Sequence, residues 1–505
     1  MSNTVKTYGA ELEKVVSSKT TKQSHKTSQD FFKILKKKTA ERNAASHIHA
    51  SDLNPKVVIG VVSSDLGEQG IDNGFNLLET ASIVHNSLKK LKQSQQEDLR
   101  TTLDALSNED ATILNASIHP TADRDMKSYE KFVAPKGVYP YIWYRGWNHA
   151  AGIDARAQNS PATGISPENA AKAVTAIIGI GAAVIALTAN SPISNGKISK
   201  YKESRLKIWD DMFCNSKVRG DLFLSKFPEK PFRNLAEYFL WMFGKETAIH
   251  FAVQDSNDGY KGLGEKILIP EKFISVLDFL KEKDITTYNL HSLFTKFPPT
   301  PEVIIPNITH MESMQWAQFA GARIRFKLKN HDAFPVDTFV RSCLNGSDEV
   351  EEIFKKFTEY IYIEGRDPGA NYPDQIIQNA GNNVAESVMI APSALQAGII
   401  NNLEKVSSYL AAFEWKELGL LREESIKNGL QGEHNKIKVH KFTEKILELA
   451  SDGLDEADKK HLAYFEWVLN TGENGADRAI KIFNKLRVND INYDKMLVEN
   501  LEVKI

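Results

Sequence analysis

The apolar stretch Ala173–Ala189 reads AVTAIIGIGAAVIALTA and lies in an uncharged run that continues to Gly196. At 17 residues it reaches only the lower limit of a membrane span. Its alanines and glycines allow close packing, and Ser166-Pro167-Glu168 ahead of it has the sequence of a helix start. Gly179-Ile180-Gly181 lacks the third glycine of a dinucleotide-binding loop. We therefore expect a helix buried in a protein core, with no membrane as partner.

Composition and charge exclude several classes of protein. Hydrophobic residues make up 42% and charged residues 25% of the 505 residues, which excludes a wholly disordered, collagen-like or coiled-coil chain. The net charge of −2 gives no reason to expect nucleic acid as a partner. Two cysteines, Cys214 and Cys343, are too few for a disulfide scaffold or a four-cysteine zinc site. With no apolar leader segment in MSNTVKTYGAELEKVV, we expect a cytoplasmic protein.

The order of predicted elements favours the α+β class. Strands are expected mainly in the first two-thirds of the chain and amphipathic helices after about residue 345. We accordingly expect a sheet-containing catalytic region over 1–345 and a mainly helical region over 346–505, packed on the same domain. The strands are predicted over 7–14, 57–63, 107–119 (after a turn) and 153–163, and the helices over 28–43 and 77–91.

The first predicted strand carries two carboxylates, Glu11 and Glu13, at a spacing of two. Side chains two apart on a strand share a face, so these groups repel each other unless a cation lies between them. Mg²⁺ takes oxygen ligands and bridges nucleotide phosphates, which makes it the expected occupant. The alternative is an edge strand that turns both carboxylates to solvent.

Other candidate residues say little when taken alone. Asp72 is typical of a turn, and His119 of a structural histidine. His47 and His49 have no third metal ligand close in sequence. No Walker loop and no G-x-S-x-G nucleophile elbow is present, which disfavours a P-loop NTPase and an α/β-hydrolase.

Several motifs together resemble one family. Gly9-Ala10-Glu11-Leu12-Glu13-Lys14 is similar to the G-x-E-x-E-K opening of plant and bacterial glutamate–cysteine ligases, and Pro135–Tyr139 is similar to their P-K-G-x-Y. Gln158 matches the glutamine of their Q-x-N-x-D strand. Most specific is the stretch from Ala189 to Trp209, which resembles A-N-S-P-x-x-x-G-K-x-x-x-[FY]-x-x-x-R-x-x-I-W without a gap. Weaker similarities lie at Pro301-Glu302-Val303, 438–454 and 468–472.

The resemblance implies a fold and a reaction. The expected fold is glutamine-synthetase-like, with an antiparallel sheet whose concave face holds the site and helices packed around it. The expected enzyme uses ATP and Mg²⁺ to phosphorylate the γ-carboxylate of glutamate. The amine of cysteine then displaces phosphate and gives γ-glutamylcysteine, the first step of glutathione synthesis. Arginines and metal ions suit this chemistry because they neutralise charge on the transferring phosphoryl group. The expected partners are these small molecules.

The resemblance also implies roles for particular residues. Arg205 matches the arginine that reads the glutamate α-carboxylate, and a guanidinium suits that task because it binds carboxylates through two hydrogen bonds. The implied metal ligands are Glu11, Glu13, Asp72 and His119. The implied catalytic residues are Glu13, Arg205 and Glu312. The implied substrate-binding residues are Tyr139, Gln158, Asn190, Lys197, Arg205 and Trp209.

The sequence departs from the family pattern in two places. Ser160 and Ala162 stand where the strand of Gln158 has Asn and Asp in the family. Segment 310–315, compared with the family strand Y-L-E-M-R-G-A-D, aligns Glu312 with the acid and Met314 with the arginine; Arg323 and Arg325 follow about ten residues later. These departures leave two alternatives open: a related carboxylate–amine ligase with a different acceptor, or a catalytically weak descendant that binds nucleotide.

Overall fold

The computed structural model describes residues 7–153, 157–244, 252–253, 267–295, 298–316, 318–487 and 493–505. Within these ranges the strands are β1 (Tyr8–Ser18), β2 (Ser46–Ala50), β3 (Val58–Ser63), β4 (Gly67–Ile71), β5 (Leu77–Ala81), β6 (Ala111–Leu114), β7 (Asn159–Gly164), β8 (Ile193–Ser194), β9 (Lys197–Ile198), β10 (Ala252–Val253), β11 (Ile267–Pro270), β12 (Ile285–Asn289), β13 (Pro301–Ile304), β14 (Ala322–Leu328), β15 (Thr358–Gly365), β16 (Glu433–His434) and β17 (Ile437–Lys438).

Helices surround these strands along the whole chain. They are α1 (Gln29–Glu41), α2 (Leu88–Ser107), α3 (Met126–Phe132), α4 (Val138–Arg145), α5 (Pro167–Gly179), α6 (Gly181–Thr188), α7 (Ile208–Phe213), α8 (Leu235–Phe243), α9 (Val276–Phe279), α10 (Leu290–Thr295), α11 (Ile308–Glu312), α12 (Val336–Asn345), α13 (Glu349–Phe357), α14 (Gln375–Asn379), α15 (Asn382–Ser387), α16 (Ala391–Asn401), α17 (Leu403–Leu410), α18 (Trp415–Asn428), α19 (Val439–Asp452), α20 (Glu456–Lys459), α21 (Ala463–Thr471), α22 (Gly475–Arg487) and α23 (Tyr493–Asn500).

The main sheet is antiparallel throughout, in the order β14-β15-β7-β1-β5-β4-β3-β2, with β6 pairing with β1. The prediction of an α+β fold with an antiparallel sheet is confirmed. A second sheet has the order β10-β11-β12-β13. Pro301-Glu302-Val303 lies in β13 at the edge of that second sheet, not in the main one.

The two faces of the main sheet differ in polarity. Side chains directly opposite each other on antiparallel strands point to the same face. Glu13 is opposite Glu79, and Arg323 is opposite Glu364, so one face is charged. The alternate residues, among them Leu12, are apolar and lie under helices α1, α2, α5 and α16. The site therefore belongs to the charged face, while the core lies beneath the other.

Lys14 is a charged exception on the core side of the sheet. Its ammonium group is fully buried, lies 2.8 Å from Asp98 and donates to Oγ1 of Thr80 at 2.7 Å. Buried charges persist in proteins when they are paired and hydrogen-bonded in this way. Lys14, the last residue of the opening motif, thus anchors β1 to α2 instead of facing the site.

The uncharged stretch Ala173–Ala189 is buried, as predicted, but it forms two helices. Helices α5 and α6 meet at an angle of 52° beside Gly181, where a Cβ atom would lie 2.5 Å from Oδ2 of Asp367. The break thus lets the chain pass close to a buried carboxylate. No single helix in the described ranges is long and apolar enough to cross a membrane; this bent pair passes that test by length and composition alone.

Three predicted elements differ from the structure. Segment 77–91, expected to be one helix, contains β5 and only the start of α2, because β5 pairs with β1 and β4 on its two sides. The strand expected over 153–163 is β7, which begins at Asn159; residues 154–156 lie outside the described ranges. Beyond residue 345 the chain is mainly helical, but β15 lies there and joins the main sheet.

Candidate active site

A cavity of about 580 Å³ lies over the charged face of the main sheet. Three kinds of side chain line it. The carboxylates are Glu11, Glu13, Asp72, Glu79 and Glu312; the cations are Lys136, Arg323, Arg325, Lys327 and Arg366; and the aromatic residues include Tyr139, Trp147, Trp209, Trp316, Phe319 and Tyr360. The cavity thus combines a carboxylate side, a guanidinium side and an apolar wall.

The carboxylate side is built on β1 and β5. Glu11 and Glu13 share a face of β1, as predicted, and Glu79 on β5 lies directly opposite Glu13. Asp72 joins them from the turn between β4 and β5. Glu79 was not predicted, because its place becomes clear only from the register of β5. Among the described residues, no three acidic, histidine or cysteine side chains form a group that could hold a metal ion by themselves.

The P-K-G-x-Y motif holds the Asp72 turn in place. Nζ of Lys136 and the hydroxyl of Tyr139 donate to the backbone oxygen of Asp72, at 2.8 and 2.6 Å. Lys136 also donates to the backbone oxygen of Ile71 at 2.5 Å. The ring of Tyr139 lines the cavity and lies 4.4 Å from that of His149. The motif therefore supports the turn and contributes an aromatic wall residue.

The guanidinium side surrounds a buried carboxylate, Glu364. Three arginines contact the carboxylate of Glu364: Arg323 does so at 2.7 and 3.0 Å, Arg366 does so at 2.9 Å, and Arg325 does so at 3.5 Å. Burial raises the pKa of Glu364, but the three arginines outweigh that effect and lower it to about 2. Burial lowers the pKa of Arg366, but the negative charges of Glu364, Glu13 and Glu11 raise it by more. The pKa of Arg366 is therefore raised overall. Burial lowers the pKa of Arg323. A guanidinium nevertheless stays protonated in proteins, so three cations lie beside the cavity.

The family strand aligned with 310–315 lies elsewhere in the fold. Residues Ile308–Glu312 form helix α11, and Met314 is fully buried in the core, so the strand prediction for this segment was wrong. Tyr362-Ile363-Glu364-Gly365-Arg366 has the same Y-x-E-x-R spacing and lies at the end of β15. Arg366 lines the cavity, whereas Met314 does not, so this segment places an arginine at the site.

Glu312 nevertheless lines the cavity, from the end of α11. One of its carboxylate oxygens lies 2.8 Å from Nε2 of His331 and accepts the backbone N–H of Leu328 at 3.2 Å. His331, in the loop after β14, was not predicted from the sequence, because no motif marks it.

Gln158 lines the cavity beside Glu13, and Arg205 lies behind it. Nε2 of Gln158 donates to Oε1 of Glu13 at 3.2 Å, and Arg205 donates to Oε1 of Gln158 at 3.2 Å. Arg205 also pairs with buried Glu203 at 2.8 Å and donates to the backbone oxygen of Asp367 at 2.8 Å. These hydrogen bonds of Arg205 all go to protein groups, and Arg205 is not among the described residues that line the cavity.

The long motif from Ala189 to Trp209 serves mainly as a scaffold. The backbone N–H of Asn190 donates to Glu203 at 2.6 Å, and its side-chain amide donates to Asn115 at 2.9 Å and to the backbone oxygen of Ala370 at 2.7 Å. Burial raises the pKa of Glu203, although Arg205 opposes this. Asn190 is buried away from the cavity and Lys197 is exposed on β9; neither lines the cavity, unlike the prediction.

The apolar wall is formed by packed aromatic rings. Trp209, at the end of the long motif, lines the cavity and stacks on Phe319 with ring centroids 4.1 Å apart. Trp147 donates from its indole nitrogen to Asp221 at 2.6 Å, and Arg145 contacts the same carboxylate at 2.6 Å. This buried ion pair fixes the ring of Trp147 in the wall.

His119 is separate from the other predicted metal ligands. It is completely buried, its Nε2 lies 3.2 Å from the hydroxyl of Ser17, and it does not line the cavity. Burial lowers the pKa of His119 to about 3, so the imidazole is neutral. The structure therefore places His119 in the core, where a lone histidine serves packing.

Residues 7–217 match the sequence model of glutamate-cysteine ligase family 2 (GCS2). No curated protein gives a significant match to the chain. The crystal structure of glutamate–cysteine ligase from Francisella tularensis in complex with AMP aligns with 98% of this chain and 88% of its own, at 10% identity and a TM-score of 0.49. The resemblance of this chain to the glutamate–cysteine ligase family is thus confirmed over residues 7–217.

Proposed function

We propose that the cavity catalyses ATP-dependent ligation: phosphorylation of the γ-carboxylate of glutamate, then displacement of phosphate by an amine. The acceptor proposed first is cysteine, which gives γ-glutamylcysteine. The observation that carries this proposal is the pairing of a carboxylate side and a guanidinium side in one cavity. Phosphoryl transfer requires such cations around the transferring group and little covalent chemistry from the protein. The family match over residues 7–217 supports the same reaction class.

Magnesium is the proposed metal, and the donor set fits it. Glu11, Glu13, Asp72 and Glu79 offer only oxygen ligands. Mg²⁺ usually keeps several waters and binds through one or two carboxylates plus substrate phosphates, so a complete cage of protein ligands is not required. When bound, it would neutralise charge on the phosphate oxygens. His119 has no part in this proposal, because it lies in the core.

The chain's own groups supply the rest of the chemistry. Arg323, Arg325 and Arg366 stabilise negative charge that spreads over the phosphoryl oxygens. Gln158 donates to Glu13 and so fixes the direction of its carboxylate. The wall that contains Trp209 and Phe319 keeps water from an acyl phosphate, which water would hydrolyse. The proposed partners are small molecules, and a cytoplasmic location remains a prediction.

A different acceptor amine is the second candidate. Ser160 lies opposite Glu11, and Ala162 lies opposite Gly9 on one side and Glu364 on the other, so both belong to the charged face. Both side chains are smaller than the Asn and Asp of the family pattern, which changes the shape and polarity of this face. A weak, nucleotide-binding descendant has less support, because Arg366 supplies the arginine that Met314 seemed to replace.

The test is ADP release from the purified protein with Mg-ATP and glutamate, in the presence and absence of cysteine and a panel of other amines. Mass spectrometry identifies the product. ADP release that needs glutamate and cysteine, with γ-glutamylcysteine formed, is the expected result. Release with another amine alone supports the second candidate. Nucleotide binding without turnover on any amine contradicts both ligase proposals.

A further inference from the structure

We propose that His331, oriented by Glu312, is the general base that takes a proton from the ammonium group of the acceptor. This inference rests on the proposed ligase function. An amino acid presents its nitrogen as an ammonium group at neutral pH, and that nitrogen has no lone pair with which to attack an acyl phosphate. The reaction therefore needs a proton acceptor in the cavity.

The contact between the two residues selects the tautomer of the neutral imidazole. A carboxylate can only accept hydrogen bonds, so Nε2 of His331 carries the proton that points to Glu312 at 2.8 Å. The other ring nitrogen, Nδ1, then keeps its lone pair. Nδ1 has no hydrogen-bond partner within the part of the chain that the structure describes. The geometry leaves one basic nitrogen available, in the way a carboxylate orients a catalytic histidine.

Glu312 is itself held firmly against the sheet. The backbone N–H of Leu328 donates to the same oxygen that contacts His331. Close by, Gln315 accepts the backbone N–H of Phe326 at 2.6 Å and donates to its oxygen at 3.0 Å, which ties the segment after α11 to β14. Glu312 is therefore a positioning residue on a fixed support, and His331 is the group that reaches the acceptor.

Other titratable groups of the cavity are less suited to the task. The carboxylates of β1 and β5 form the proposed magnesium side. Lys327 and Arg325 on β14 are cations, and Tyr360, opposite Lys327, has a pKa raised by burial and by Glu359 and Glu312. His149, the other imidazole of the lining, is completely buried and contacts the Tyr129 hydroxyl at 3.1 Å. The side chain of His331 is 35% exposed, so an acceptor that enters the cavity can reach it.

The proton balance of the step is simple. One ammonium proton passes to Nδ1 of His331, and the nitrogen lone pair forms the C–N bond as the C–O bond to phosphate breaks. The second proton lost on amide formation goes to the departing phosphate. His331 then releases its proton to water and returns to its starting state.

Hydroxylamine separates this role from a structural one. Its nitrogen is largely uncharged at neutral pH, so it attacks an acyl phosphate without a base and gives a γ-glutamyl hydroxamate. In His331→Gln, we expect turnover with cysteine to fall by about 100-fold or more. Hydroxamate formation should stay close to that of the wild type. If the amine panel shows another amino acid as acceptor, that amino acid takes the place of cysteine.

Two further variants make the comparison specific. Glu312→Gln can turn its amide nitrogen toward Nε2 and so move the ring proton to Nδ1; we expect the same selective loss, of smaller size. His25→Gln removes an imidazole that contacts Glu109 at 2.9 Å outside the cavity, and should leave both turnovers unchanged. Equal effects of His331→Gln on both amines, or no effect on either, would overturn the inference. A wild type that turns over neither amine contradicts the proposed function itself.

Discussion

Nη1 of Arg205 donates to Oε1 of Gln158 at 3.2 Å, and this contact decides which end of the Gln158 amide faces Glu13. The amide nitrogen must then point toward the carboxylate, to which it donates at 3.2 Å. Arg205 thus acts on the site through Gln158, from a position that does not line the cavity.

Replacing Arg205 should destabilise the protein. In Arg205→Ala, buried Glu203 loses its partner at 2.8 Å, and breaking a buried pair costs about 3–5 kcal/mol. Urea unfolding measures this free energy. The control is Lys226→Ala, which breaks an exposed pair with Asp210 and should change stability by about 0–1 kcal/mol. Similar losses in the two variants would show that the Arg205 network is not a buried support.

Glu13 should be essential for metal-dependent turnover. In Glu13→Gln, one carboxylate of the proposed magnesium side is neutral, and we expect a loss of about 100-fold or more in kcat. Glu68→Gln is a matched control, because Glu68 lies on the same sheet face but does not line the cavity. Its activity should equal that of the wild type. Full activity of Glu13→Gln at limiting Mg²⁺ would place the metal elsewhere.

Replacing Arg366 should lower the activity, whereas replacing Met314 should not. Arg366→Met removes a cation from the phosphoryl side of the cavity, and such a stabiliser is worth about 10³-fold or more in rate, or roughly 4 kcal/mol. Met314→Leu conserves volume in the core and should change stability by less than about 1.5 kcal/mol with activity intact. Steady-state kinetics of the two variants decides the assignment. Loss of activity in Met314→Leu alone would restore the alignment at 310–315.

His119 should affect acid stability and leave the metal requirement unchanged. Its folded pKa, about 3, lies below the ordinary value of 6.5, so the unfolded chain binds the proton more strongly. The free energy of unfolding therefore decreases as the pH falls below about 6.5, and the whole decrease due to His119 is present near pH 3. His119→Gln removes this term, so its acid unfolding midpoint should move to lower pH. The Mg²⁺ concentration for half-maximal activity should not change; a marked rise would make His119 a metal ligand.

Local patterns in the sequence predicted the elements that depend on local forces. Helix α1 begins after Ser28, whose hydroxyl accepts the N–H of Asp30, and the alternation of Glu11 and Glu13 gave their shared face. The strand β5 within segment 77–91 could not be predicted in this way, because its formation depends on pairing with two other strands. The register between β5 and β1 also places Glu79 opposite Glu13 at the site.

The site itself was only partly predictable. The motifs located Glu13, Gln158 and Trp209 in the cavity, but they could not show where a side chain points. Arg205 is an example, since its guanidinium is directed at Glu203 and Gln158. The Y-x-E-x-R spacing at 362–366 was readable in the sequence. Only the pairing of β15 with β14 and β7 shows that this segment, and not 310–315, belongs to the main sheet.

The most direct test of the proposed chemistry follows the oxygen atoms of glutamate. The protein is incubated with Mg-ATP, the acceptor amine and glutamate whose γ-carboxylate carries heavy oxygen, and the released phosphate is analysed by mass spectrometry. If the γ-carboxylate attacks ATP and the amine then displaces phosphate, one labelled oxygen of each glutamate must appear in the phosphate. Labelled phosphate, formed in step with the amide product, is the result that we predict. Amide product with unlabelled phosphate would contradict an acyl-phosphate intermediate in this cavity.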